Sequence, residues 1–169
     1  RPVNLAFPLL LASISQFSEV AVNIPPLAWF LAARFLPGAL TLVLYRSKRV
    51  SDAVTGGSDK VGVRVPAHPV PIALIEGIGA PLIGTSANLS GQPSALTAKE
   101  VERQIGPEID CIIDGGRAPG GVESTVVDVT FESPLILRQG AISQETLENA
   151  VRSFDPAIEF RTTDKKNSV

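Results

Sequence analysis

Methionine is absent from these 169 residues, and cysteine, tryptophan, tyrosine and histidine occur once each. A lone cysteine cannot close an internal disulfide, and one histidine with one cysteine cannot build a ligand set at zinc spacing. Cys111 stands in the apolar run Ile109–Ile113, so it is expected to be buried and inert. His68 lies between prolines in Pro66-Ala67-His68-Pro69, and no nucleophile–base pair emerges anywhere in the chain. A Gly-x-Gly-x-x-Gly fingerprint and a phosphate loop ending in Gly-Lys-Ser/Thr are also absent. Any nucleotide must therefore be held by another architecture. Charge of one sign is lacking too. Fifteen Lys and Arg face 17 Asp and Glu, for a net charge of -2. That excludes a globally basic nucleic-acid binder, though not a local basic groove. Long apolar runs are missing as well. The greasiest stretch, Pro26–Tyr45, is interrupted by Arg34 and broken by Pro37-Gly38, whereas a spanning helix needs about 20 unbroken apolar residues. No signal-peptide pattern is present, so a cytoplasmic location without a membrane partner is expected. The start at Arg1-Pro2 and the lack of methionine lead to the expectation of a fragment, a processed chain or a trimmed one.

What is present is ordinary for a packed protein. Hydrophobic residues make up 44% and charged residues 19%, which fits one domain around one core. Phe7–Ala12 reads as a short buried strand. Ser13-Ile14-Ser15-Gln16 has capping-box spacing, and Pro25-Pro26 sits at the start of a helix whose stripe is Leu27, Phe30, Leu31, Ala32 and Phe35. Ala39–Tyr45 is a strand buried on both faces. Arg46 to Asp59 is a polar connection. Val61, Val63 and Val65 alternate with Gly62 and Arg64 in a strand that Pro66 stops. Pro71–Ile78 is a helix, Pro81–Gly84 a strand and Ser86–Ala95 a loop. A second capping box at Thr97 opens a helix to Ile105. Ile109–Ile113, Ser124–Val129 and Leu135–Arg138 read as strands, with a flexible turn at Pro119-Gly120-Gly121. Ser143 caps a last helix. Residues 1–154 form the domain, and residues 155–169 a polar tail expected to be loose. The fold class is α/β, an open twisted sheet of mixed strand direction with flanking helices.

Several residues suit chemistry. Arg64 points away from the valines of its own strand, and Arg138 closes an apolar run. A guanidinium fork aimed at phosphate or carboxylate explains both, and so does a strand-edge arginine with its head in water. Gly84-Thr85-Ser86-Ala87-Asn88 follows a strand directly, and its hydroxyls and amide could bind phosphate or ribose. Turn chemistry alone favours the same residue types.

Five segments in order resemble the YrdC-type threonylcarbamoyl-AMP synthases. They are Arg34-Phe35-Leu36-Pro37-Gly38-Ala39-Leu40-Thr41-Leu42-Val43-Leu44, Val63-Arg64-Val65-Pro66-Ala67-His68-Pro69, Gly84-Thr85-Ser86-Ala87-Asn88-Leu89-Ser90-Gly91, Glu123-Ser124-Thr125-Val126-Val127-Asp128 and Leu137-Arg138-Gln139-Gly140-Ala141-Ile142. The resemblance implies a single-domain enzyme making threonylcarbamoyl-AMP and pyrophosphate from L-threonine, bicarbonate and ATP with Mg²⁺. The product feeds the N6-threonylcarbamoyladenosine (t6A) modification of tRNA through downstream tRNA-modification proteins. It implies ATP contacts from Arg1, Lys60, Ser86, Asn88, Ser94 and Arg138. It implies threonine contacts from Arg64, Gly84 and Ser124, with no residue in a covalent role and no metal ligand from the protein.

Departures from the family pattern carry expectations of their own. The upstream strand region with its Pro-Thr-Asp/Glu-Thr-x-Tyr-Gly-like turn is not in this chain, nor is the lysine of Lys-x-Arg-Pro. Lys60 stands where a small hydroxyl residue is common. The 169 residues alone are accordingly expected to be weakly active or inactive. Two other readings stay open at this stage. One is a nucleotide- or double-stranded-RNA-binding module of the same fold without catalysis. The other is a carbamoyl-transfer relative of the hydrogenase-maturation kind.

Overall fold

Proline and glycine punctuate the chain, and its elements form between them. The computed structural model describes residues 7–118 and 122–162. Arg1 and the turn at Pro119-Gly120-Gly121 lie outside the described residues. The strands are β1 (Leu9–Leu10), β2 (Ala21–Val22), β3 (Leu40–Arg46), β4 (Lys60–Arg64), β5 (Leu82–Ile83), β6 (Thr125–Asp128), β7 (Leu135–Arg138) and β8 (Arg161–Thr162). The helices are α1 (Phe17–Val20), α2 (Pro26–Phe35), α3 (Asp52–Thr55), α4 (Pro69–Ile78), α5 (Ala98–Ile105) and α6 (Gln144–Arg152).

The described residues build one eight-stranded sheet in the order β5-β1-β4-β3-β6-β7-β8, with β2 pairing the end of β3. β1/β4, β3/β6 and β7/β8 are parallel, and the other pairs are antiparallel. The expected open sheet of mixed direction with flanking helices is therefore what forms.

Period-two alternation sorts the two faces of this sheet. Leu40, Leu42 and Leu44 of β3 are fully buried, alongside Val61 and Val63 of β4 and Val127 of β6. The register sets Leu42 opposite both Val63 and Val127. Leu27, Ala28, Leu31 and Ala32 of α2 and Leu147 and Val151 of α6 join the same core. Each such leucine contributes about 1.5–3 kcal/mol by burial. The opposite face presents Thr41, Gly62, Arg64 and Val126, none of which belongs to the core cluster.

Local sequence explains how the helices begin and end. Pro26 opens α2 at a position where its missing N–H is harmless. At its far end Gly38 is obligatory, because a Cβ there would lie 2.2 Å from the Phe35 carbonyl oxygen. Gln16 Oε1 accepts from the amides of Ala12 and Ser13, as the capping-box spacing predicts. Thr97 and Ser143 cap α5 and α6 through their hydroxyls. His68 turns out to be a cap as well. Its Nδ1 accepts from the Val70 amide, so α4 starts at Pro69, two residues earlier than the sequence predicts.

Two expectations need correction. Ile109–Ile113 is not a strand, and Cys111 is exposed. An apolar run becomes a strand only beside a neighbour offering a ladder, and none of the described strands pairs with it. From residue 76 to residue 118 no residue is buried at all. The second correction concerns residues 155–162 of the expected loose tail, the part that lies within the described residues. Ile158 and Phe160 pack on the core, and β8 pairs with β7. Phe154 stacks on Phe30 with ring centroids 4.9 Å apart. Within residues 155–162 it is Ile158 and Phe160 that pack on the core. Among the described residues no helix is long and apolar enough to cross a membrane.

Candidate functional site

Two arginines meet on the sheet face away from the core. Arg64 ends β4, and its Nε donates to the Gly38 carbonyl at 2.8 Å. That carbonyl is held there by the turn after α2, whose Gly38 amide donates to Val65 O at 2.9 Å. With Nε anchored, the two terminal nitrogens of Arg64 have no protein partner among the described residues. Burial lowers the Arg64 pKa first, and the positive charge of Arg138 lowers it further. The pair is therefore short of one anion, because two like charges with partial desolvation favour whatever negative group comes between them.

Arg138 is anchored differently. Nε and Nη2 both donate to the Ser124 carbonyl, at 3.2 and 2.9 Å, and Nη1 pairs with Glu123. Nη2 also reaches Ser124 Oγ at 3.2 Å. A bulge in β7 makes this geometry. Val126 pairs with Arg138 but Val127 pairs with Ile136, so Leu137 is the extra residue. Such a bulge re-aims the side chain that follows it.

Ser124 sits between the arginines' strands at the start of β6. It is only 6% exposed, and its Oγ lies 2.8 Å from Thr41 Oγ1 on β3. Behind it Thr125 Oγ1 saturates its bonding. It donates to Ile142 O at 2.6 Å and accepts from the amides of Gly140 and Ile142 at 3.0 Å. Gly140 comes so close that a Cβ would lie 2.2 Å from Glu123 O.

The loop after β5 leaves the edge of the sheet. Gly84 donates its amide to Pro8 O at 2.8 Å, continuing the β1/β5 ladder. Thr85 Oγ1 accepts from the Ala87 amide, and Ala87 takes the left-handed φ of 50°. Asn88 pins the loop, donating through Nδ2 to Leu89 O and Gln92 O, while its Oδ1 is buried without a partner. Ser86 is exposed. Ser94 borders a shallow depression with Leu89, Leu96, Glu100 and Arg103.

The structure thus joins Ser124 to Arg138 and sets Arg64 close enough to feel the charge of Arg138, while Gly84, Ser86, Asn88 and Ser94 lie along the segment that follows β5, the strand on the far side of β1 from β4. It does not bring Lys60 to the arginines. Lys60 begins β4, roughly 13 Å from Arg64 at about 3.3 Å per residue. Its Nζ pairs with Asp128 at 2.9 Å and sits 4.1 Å from the centroid of Phe131. Sequence reasoning missed Thr41 and Glu123. The alternation of β3 places Thr41 on the face of Arg64, and that signal was available. The Glu123–Arg138 pair was not, because the bulge creates it.

The fold is an α/β open mixed sheet that carries two neighbouring arginines, with Ser124 hydrogen-bonded to one of them. The Sua5/YciO/YrdC family model, described as telomere recombination, matches residues 1–140, and the chain belongs to that family. It is 42% identical to the threonylcarbamoyl-AMP synthase of Pyrococcus abyssi over 97% of this chain and 49% of that protein. It is 40% identical to the Bacillus subtilis protein of the same name over 89% and 44%. The fold superposes with TM-score 0.89 on a P. abyssi Sua5 structure complexed with L-threonine, at 42% identity, covering 96% of this chain and 46% of that one. The chain spans about half the length of the curated relatives it matches.

Proposed function

We propose that this domain makes threonylcarbamoyl-AMP, releasing pyrophosphate and water from L-threonine, bicarbonate and ATP, for t6A modification of tRNA. The observation that carries this reading is the two unpartnered terminal nitrogens of Arg64, close to Arg138. A planar guanidinium whose two terminal nitrogens are free matches a carboxylate bidentately through that edge. The P. abyssi relative that this fold matches was solved with L-threonine.

In this reading Arg64 holds the threonine carboxylate, with the Gly84 backbone and Ser124 beside it. Ser86, Asn88, Ser94 and Arg138 face ATP, and Arg1 reaches its phosphates. Lys60 is left out, since its ammonium is committed to Asp128. The amine of threonine takes up bicarbonate and loses water to give a carbamate. A carbamate oxygen then attacks the α-phosphorus, and pyrophosphate departs. Every reactant is anionic or becomes so, and fixed cations aimed at developing charge do most of the catalytic work in such steps. Mg²⁺ bound to ATP would supply charge neutralisation at its phosphates. The described residues hold no group of three His, Cys, Asp or Glu placed to bind it alone.

The test is pyrophosphate release by the protein expressed from its full reading frame, with ATP, bicarbonate and L-threonine. Threonine-dependent release is the expected result. Release that ignores threonine, or none, refutes the proposal.

A further inference from the structure

Ser124 has more neighbours than a serine beside a substrate needs. We infer that Thr41 is a positioning residue, which fixes the direction in which the Ser124 hydroxyl donates and so sets the affinity for threonine. The inference rests on the proposed function and deepens it.

A hydroxyl carries one proton and two lone pairs. At Ser124 Oγ one lone pair faces Arg138 Nη2, which can only donate. Thr41 Oγ1, 2.8 Å away, takes a second direction. Thr41 is 4% exposed, and no other side-chain partner holds its hydroxyl among the described residues. If Thr41 donates, both lone pairs of Ser124 are used and its proton must point along the third direction. That direction then presents a donor to an acceptor on the ligand, a carboxylate or carbamate oxygen. With Arg64 offering the N–H groups of its two terminal nitrogens, the site becomes all donor, which fits an anion and rejects an ammonium. The backbone supports this role. Thr41 is the second residue of β3 and pairs with Val126 of β6, in a strand flanked by β6 on one side and β4 on the other. Its methyl would lie 3.4 Å from a Cβ at Gly62, so the side chain rests over that glycine and has little freedom to turn.

The prediction separates two substrates. Thr41→Val keeps the shape and removes the hydroxyl. It should weaken L-threonine binding roughly tenfold, the worth of one hydrogen bond to a charged partner. The KM for ATP should stay within about twofold, because no ATP contact is removed. Thr41→Ser restores the hydroxyl and should restore threonine binding. Calorimetric titration with L-threonine and KM measurements on the same full-frame protein read this out, with melting curves run in parallel. Wild-type threonine affinity in Thr41→Val overturns the inference. So does failure of Thr41→Ser to rescue, or an equal loss for both substrates, which would mark a purely structural threonine. A wild-type protein that binds no threonine overturns the proposed function itself, and this inference with it.

Discussion

Replacing Thr125 by valine tests the support beneath the site more sharply than changing the site itself. Thr125 is completely buried, and its hydroxyl makes three hydrogen bonds, one donated to Ile142 O and two accepted from the amides of Gly140 and Ile142. Valine has nearly the same shape, so little packing is lost, but all three bonds go. At about 1 kcal/mol net for each bond, the loss is about 3 kcal/mol. For a chain of this size 1 kcal/mol moves the melting temperature by about 2–4 °C, so Thr125→Val should melt about 6–12 °C lower. Urea unfolding should show the midpoint falling with its slope unchanged, as expected when only stability changes. Thr125→Ser keeps the three bonds and loses one methyl, so it should retain most of the stability. A Thr125→Val protein within 0.5 kcal/mol of wild type would refute the claim that this hydroxyl holds residues 139–142 against β6.

Two further outcomes follow from the same geometry. Arg64→Lys keeps a positive charge but loses the planar fork, so threonine affinity should fall about 100-fold, near 3 kcal/mol, in a binding titration; affinity within threefold of wild type would show that charge alone suffices. Lys60→Met should lower stability by about 2 kcal/mol in urea, because it leaves the buried Asp128 carboxylate with only its two Thr130 donors; threonine affinity should stay unchanged, and a loss there would place Lys60 in the site after all.

Much of the fold was legible because local rules agreed with one another. The alternation of Val61 and Val63 with Gly62 and Arg64 fixed both the strand and the face on which Arg64 stands. Proline at Pro26 and glycine at Gly38 bounded α2. Thr97 and Ser143 announced their helices through side-chain oxygens that accept the first free amides. The run at Ile109–Ile113 misled for a physical reason. Its composition is that of a strand, but a strand is a relation between two segments, and composition describes only one. The tail misled in the opposite way, since its average polarity hid Ile158 and Phe160.

What the sequence determined by itself was which residues carry charge, hydroxyl and apolar surface, and at what spacing along each element. Those follow from periods of 2 and 3.6 and from capping chemistry, which are local. Tertiary structure alone decided the company each residue keeps. It brought Ser124 to Thr41 across 83 positions of chain, turned Arg138 onto Ser124 through a one-residue bulge, and tied Lys60 to Asp128 at the other end of the sheet. Pairing across strands depends on register, and register is set by the whole buried face at once. The arginines could be named from their positions in the text. That Arg64 keeps its fork free while Arg138 spends its own on Ser124 and Glu123 became visible only when β4, β6 and β7 lay side by side.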